Sequence, residues 1–198
     1  MNEQLTKRKI QAEGTKRRIY ETSIYLIKQN GYNNVSIDEI CMKCGITKGA
    51  FYHHFNSKED IIVGIGTDMN YDMQDYYENI LYEKDNISKI LALTKYYFKF
   101  ISAIGLDISR QLNKIIVDGK HGYFISGDKN IEKILWDSII AGQKSGEIKK
   151  HLSVENITFF IHSLVLGISM DWCANEGDYD IEEKGCKAFC ELISIIKA

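Results

Sequence analysis

The 198 residues carry 25 Lys and Arg against 27 Asp and Glu, are 44% hydrophobic and contain no proline. That fraction is enough for a packed core, and the missing proline removes the strongest helix breaker, so an all-α protein of one or two units is expected. Five cysteines, an odd number, argue against a disulfide framework.

No stretch reaches the roughly 18 uninterrupted apolar residues of a spanning helix. The N-terminal "MNEQLTKRKIQAEGTKRRIY" lacks the apolar run of a signal peptide. A cytoplasmic protein with reduced thiols and no membrane partner is expected. The small net charge hides an asymmetry: residues 1–60 hold ten Lys and Arg against seven Asp and Glu, a net +3, which leaves −5 on residues 61–198. A basic head on an acidic body points to an anionic partner for the head, with nucleic acid the obvious polymer.

"GTKRRIYETSIYLIKQNGY" spaces Ile19, Ile24 and Ile27 as one helix face and stops at Gly31. Ahead of it, Lys7, Arg8, Lys9 and Lys16 form either a phosphate-tracking arm or, for residues 1–10, a disordered tail. "VSIDEICMKCG" opens with Ser36 and Glu39 in capping-box spacing and puts Ile37, Ile40, Cys41 and Cys44 on one side. Gly45 can turn the chain through a left-handed conformation, after which Thr47 caps a short helix, "KGAFYHHF". At about 100° per residue, turning Phe51 and Phe55 inward points Gly49 and His53 outward, flanked by Ala50 and Tyr52.

Ser57 and Asp60 repeat the capping signature, and Ile61, Ile65, Met69, Met73, Tyr76 and Ile80 carry a long helix with no flexible linker before it. Gly64 and Gly66 within that helix are expected to be a soft point, since glycine costs roughly 1 kcal/mol there relative to alanine. Further helices follow Asn86 and Asp107, and "GKHGYFISGDKN" reads as the longest loop. "NIEKILWDSIIAGQKSG" ends at Gly146. Ser153 caps a helix whose stripe of Val154, Ile157, Ile161, Leu164, Val165 and Ile168 is wider than one core contact needs. Asp180 with Glu183 opens the last helix.

Two short helices about a glycine turn, the second with a small, basic and aromatic outer face, are the parts of a helix-turn-helix. The segment "VSIDEICMKCGITKGAFYHHFNSKEDII" resembles the DNA-binding segment of the TetR family of transcriptional regulators, and "KGAFYHHFNSKE" is its most specific portion. "GEIKKHLSVENITFFIHSLVLGISMDW" resembles more loosely that family's penultimate helix. The resemblance implies an all-α protein with an N-terminal three-helix DNA-binding domain over 1–60 and a larger helical effector-binding and dimerisation domain over 61–198. It also implies a homodimer through the last two helices that binds a pseudo-palindromic operator as a repressor and is released by a small molecule.

Carried onto this sequence, the resemblance makes Lys48 and Gly49 the residues that approach base edges. It assigns Tyr52, His53 and His54 to phosphates or thymine methyls, and Ser36, Thr47 and Lys58 to the DNA backbone. Arg17 and Arg18, at the start of the first core helix, are further cationic candidates. Tyr97, Trp136, Phe160 and Trp172 are candidates to line an effector pocket, and the aromatic content fits a hydrophobic or aromatic effector.

Two other function classes are weaker. Cys41 and Cys44 form a C-x-x-C that could sense redox state, but no second ligand pair supports zinc and no βαβ context supports a thioredoxin-like site. Cys173, Cys186 and Cys190 read as core residues. His121, His151 and His162 are scattered, and neither a phosphate loop nor a nucleophile elbow accompanies them, so no catalytic residue, metal or cofactor is expected.

Overall fold

The computed structural model describes residues 2–81, 84–119 and 130–198; the expected loop after Gly119, with His121, lies outside them. The described residues are all-α: α1 (Asn2–Asn30), α2 (Ile37–Cys44), α3 (Lys48–His54), α4 (Lys58–Tyr76), α5 (Asn86–Ile104), α6 (Leu106–Asp118), α7 (Asn130–Ser145), α8 (Val154–Ala174) and α9 (Ile181–Ile196). A 3-10 turn (Tyr32–Asn34) precedes α2, and a π-helical turn (Tyr77–Leu81) follows α4. No strand occurs among the described residues; one isolated bridge joins Ile148 to Lys197. The chain divides into two compact units, Met1–Gly64 and Ile65–Ala198, with the division falling inside α4.

In the first unit, α1, α2 and α3 close around Ile19, Ile27, Ile40, Phe51 and Ile61, each with 0–1% of its surface exposed. Helix boundaries sit where local chemistry puts them. Ser36 Oγ accepts the Glu39 amide at 3.1 Å, satisfying an N–H that the first turn of α2 leaves over. The reciprocal half of the capping box is replaced, because the Glu39 carboxylate receives the Asn30 side-chain amide at 3.4 Å. At the other end Gly45 takes φ 65°, and the Gly45 and Ile46 amides donate to Met42 and Cys41 carbonyls, closing the helix with a left-handed residue that glycine adopts most cheaply.

One expectation is corrected here. The N-terminal residues are neither a separate arm nor a tail: α1 is helical from Asn2, so the first core helix extends back by more than three turns. At Gly64 a Cβ would lie 2.9 Å from Tyr20 Cε2, so glycine lets α4 approach α1 closely.

The second unit is built on α5, which packs along α9 and also meets α6, α7 and α8. Gly185 on α9 makes the closest approach: a Cβ there would meet the fully buried Phe98 ring at 2.7 Å. Asp85, one residue before the position expected from sequence, caps α5 by accepting the Ser88 amide at 2.8 Å. Glu147 reinforces that helix start, its carboxylate accepting the Asn86 and Ile87 amides at 2.8 and 3.2 Å. Ser153 and Asp180 cap α8 and α9 as the sequence indicates.

Candidate nucleic-acid interface and helical body

The recognition surface is produced by burying one side of α3. Phe51 and Phe55 are 0% and 6% exposed, with ring centroids 5.8 Å apart. This leaves Lys48, Gly49, Tyr52 and His53 in solvent, with Tyr52 retaining 52% of its surface although its ring meets the Phe51 ring edge-on. Thr47 Oγ1 accepts the Ala50 amide at 3.2 Å and fixes where α3 starts. Nothing but Thr47 Oγ1, at 3.8 Å, would lie within reach of a Cβ on Gly49, so that backbone is open to close approach.

The charges on this face are arranged unequally. Lys48 Nζ lies 2.8 Å from Asp38 Oδ1, and that hydrogen-bonded carboxylate raises the Lys48 pKa. The Lys48 charge is thus firmly held, but a phosphate or base must compete with Asp38 for it. His53 and His54 stack edge-on with centroids 5.0 Å apart. Burial pushes the His54 pKa down, and the neighbouring His53 and Lys16 push it further, so His54 offers a neutral donor or acceptor near pH 7.

The remaining candidates are dispersed. Ser36 and Thr47 spend their oxygens on caps. Lys58 is turned inward: Nζ donates to the Tyr32 carbonyl and, at 2.6 Å, to the Val35 carbonyl, and lies over the Tyr32 ring at 4.1 Å. It ties the start of α4 to the turn before α2 and does not join the exposed face of α3. Arg17 pairs with Glu21 at 2.7 Å, on the side of α1 away from buried Ile19 at about 100° per residue. Arg18 is exposed, and its carbonyl accepts the Cys44 thiol at 3.8 Å. Sequence reading missed Lys16 as a neighbour of α3; its ammonium lies 6.0 Å from the Phe55 ring centre.

Cys41 and Cys44 are 5% and 8% exposed, and burial followed by Asp38 raises the Cys41 pKa. A protonated, buried thiol is a packing group and a poor redox sensor. Alanine at both positions is expected to leave DNA binding and its response to peroxide unchanged, measured by fluorescence anisotropy. Among the described residues, no cluster of three His, Cys, Asp or Glu could hold a metal.

In the second unit the four pocket candidates are not brought together. Phe160 is 53% exposed on the outer side of α8, beside Phe159 at 65%. Trp172 is buried, its Nε1 donating to the Tyr179 carbonyl at 2.9 Å, which anchors the turn before α9. Tyr97 packs against the cluster that contains Trp172, whereas Trp136 is half-buried on α7. A different group does converge: Met69, Met73 and Leu93 form a buried cluster with Tyr76, Tyr96, Tyr97 and Phe100 packed on it. The Tyr76 and Tyr96 ring centres are 5.3 Å apart.

The stripe on α8 divides between two clusters. Ile157 and Ile161 are buried in the chain's own core, Val154, Leu164 and Val165 pack on that core, and Ile168 packs on the neighbouring cluster. The opposite side is what remains uncovered: Phe159, Phe160, Ser163 and Gly167 are exposed. A shallow groove of about 260 Å³ runs along α8 toward α9, lined by Ser163, Leu164, Gly167, Ile168, Asp171, Tyr179, Lys184 and Ala188, so two residues of the stripe also border it. α8 is long and apolar enough to cross a membrane by length and composition, yet only 33% of its most apolar window is buried within the chain.

A short α2, a left-handed glycine and an α3 with an exposed small, basic and aromatic side define a helix-turn-helix regulator joined to a helical body. The model of the bacterial regulatory proteins of the tetR family matches residues 19–65. Residues 19–65 therefore form a DNA-binding domain of the TetR family of transcriptional regulators. The fatty acid metabolism regulator protein of Bacillus subtilis is 26% identical over 170 residues, 82% of this chain and 86% of that one. A second B. subtilis relative, the uncharacterized HTH-type regulator YerO, is 47% identical over 60 residues. That match spans only 28% of this chain and 21% of YerO. Among solved structures, Thermus thermophilus FadR in complex with lauroyl-CoA aligns with TM-score 0.72 at 13% identity, over 90% of this chain and 92% of that one. B. subtilis FadR in complex with stearoyl-CoA aligns at 0.69 and 21%, over 90% and 97%. At these identities the structural likeness establishes the fold.

Proposed function

We propose that the chain is a cytoplasmic, dimeric repressor that reads a pseudo-palindromic operator with α3 and leaves it when a predominantly apolar small molecule occupies the second unit. The observation that carries the DNA-binding reading is the face of α3, where Lys48, Gly49, Tyr52 and His53 are exposed while Phe51 and Phe55 anchor the helix from behind. One helix of seven residues reads too few base pairs for a unique site, so a two-fold dimer with half-sites about one helical turn apart is needed.

The uncovered side of α8 supplies the surface for that dimer. Its exposed Ser163 and Gly167 let a second helix come close, and Phe159 and Phe160 supply apolar area beside them. Sedimentation at micromolar concentration tests this directly: a dimer is expected, and a monomer both free and on DNA would refute it.

For the effector, the lined-up Met69, Met73, Tyr76, Tyr96 and Tyr97 offer an apolar and aromatic environment. Relatives that regulate fatty acid metabolism or are bound to acyl-CoA favour a long acyl chain as its body. α4 is one continuous helix from Lys58 to Tyr76, so displacement of its Met69–Met73 turn is transmitted along the helix toward Lys58. Loosening operator binding tenfold requires the effector to favour the released state by ~1.4 kcal/mol, and operator must weaken effector binding by the same factor. Titrating lauroyl-CoA into the protein–operator complex tests the reading; release at micromolar ligand is expected, and an operator affinity indifferent to it would remove the acyl-CoA class.

The helical extension of α1 adds a separate prediction. Arg8, Lys9 and Lys16 are exposed along it. If they meet phosphates, replacing all three with alanine should reduce the slope of log affinity against log salt by roughly 0.9 for each phosphate no longer neutralised. An unchanged slope would show that the extension is a solvated face.

A further inference from the structure

Among the described residues of the second unit, Ser138 Oγ on α7 and Thr158 Oγ1 on α8 are sealed from solvent and have no hydrogen-bond partner. Their residues are 2% and 6% exposed. Helical serine and threonine commonly satisfy themselves on the carbonyl four residues back, as Thr94 does on Ile90 at 3.0 Å. Ser138 and Thr158 forgo that bond, and a buried, unsatisfied polar group is costly enough to require an explanation.

The two belong to one place. α7 and α8 run antiparallel, with Gln143 Nε2 donating to the Leu152 carbonyl at 2.7 Å near the connecting turn and the Glu132 carboxylate close enough further along to act on the His162 imidazole. Between these two points the same register sets Ser138 and Thr158 opposite each other, within about one helical turn. His162 follows Thr158 by four residues and therefore lies on the same side of α8. The seam between α7 and α8 thus carries a short polar track inside an otherwise apolar core of Leu135, Ile139, Ile157 and Ile161.

We propose that Ser138, Thr158 and His162 form the polar end of the effector site, which receives an uncharged hydrogen-bonding group, such as an ester, thioester or ketone carbonyl, in preference to a carboxylate. The inference rests on the reading of the second unit as the effector-binding body and narrows the chemistry of what enters it. Both hydroxyls can donate to a carbonyl oxygen without bringing charge. Burial pushes the His162 pKa down, with Glu132 opposing, so the imidazole brings no positive charge to the seam near pH 7. Glu132 adds a negative charge to the same seam, so a carboxylate entering it would be desolvated beside a like charge.

The test uses the full-length protein with methyl laurate and laurate, which share a chain and differ in head-group charge, together with lauroyl-CoA. Methyl laurate and lauroyl-CoA are expected to bind more tightly than laurate at pH 7.5, by calorimetry or quenching of Trp fluorescence. Thr158→Val and Ser138→Ala should each weaken both neutral ligands by roughly fivefold, the equivalent of one neutral hydrogen bond. The melting temperature of each variant alone should stay the same or rise, because an unpartnered hydroxyl is removed. Laurate binding as tightly as its ester, unchanged affinity in both variants, or a lowered melting temperature with unchanged ligand affinity would each overturn the proposal while leaving the effector reading intact. Failure of all three probes to bind the wild type would overturn the acyl-effector reading and this inference with it, whereas operator binding would be unaffected.

Discussion

Replacing Lys48 and Tyr52 together with alanine is expected to eliminate specific operator binding at protein concentrations that saturate with the wild type, leaving the helical circular-dichroism signal unchanged. Both side chains are exposed on α3, whose core is carried by Phe51 and Phe55, with the Tyr52 ring only meeting the edge of that core at Phe51. A good base or phosphate interaction is worth about 1–3 kcal/mol, and a two-fold dimer forfeits each one twice. Asp38→Asn should act in the opposite direction. Its carboxylate holds Lys48 at 2.8 Å, so neutralising it frees the ammonium and removes a negative charge from beside the DNA. Wild-type affinity in the double variant would refute the assignment of α3, and weaker binding by Asp38→Asn would show that the carboxylate positions Lys48 for DNA.

What could be read from sequence, and what could not, follows from the range of the interactions. Ser36, Thr47, Ser153 and Asp180 cap their helices because a side-chain oxygen and an amide three residues on are all that the geometry needs. Gly45 is equally local, since its left-handed φ is set by the helix it ends. The role of Gly64 was hidden because its reason is Tyr20, a residue 44 positions earlier that no local pattern pairs with it. The partners of Lys58 were hidden for the same reason: they are carbonyls of Tyr32 and Val35, and sequence shows only a lysine after a cap.

The body was harder to read because apolar spacing reports that a helix has a buried side and does not report what buries it. α8 is apolar on two sides. The stripe from Val154 to Ile168 packs mainly on the chain's own core, with Leu164 and Ile168 also bordering the open groove, while Phe159 and Phe160, adjacent in sequence, stay in solvent. Phe160 and Trp172, two of the four pocket candidates, part on that distinction, one being a surface residue and the other an anchor of the turn before α9. Ser138 and Thr158 carried no sequence signal at all. A helical serine or threonine is ordinary until its hydroxyl is found sealed and unpartnered.

Phe51→Ala is expected to have the largest effect on stability, and to have it in one unit only. The ring is 0% exposed, in contact with Phe55 and Tyr52, and belongs to a unit of Met1–Gly64 whose size gives it little core to spare. Removing a buried phenylalanine costs about 3–5 kcal/mol through lost transfer energy and the cavity left behind, which is comparable with the whole stability of a small domain. Operator binding should therefore vanish together with part of the helical signal. Ligand binding by the second unit should persist, because its core rests on Phe98, Phe189, Ile139 and their neighbours and includes nothing from α3. Gly185→Ala supplies the converse. Its Cβ would enter the Phe98 ring at 2.7 Å, overpacking the seam between α5 and α9 at a cost of about 1–3 kcal/mol. Thermal unfolding followed by circular dichroism should then show an early, partial transition for Phe51→Ala, and a lowered main transition for Gly185→Ala with its effector binding weakened. A single, equally shifted transition in both variants would instead mean that the two units unfold as one.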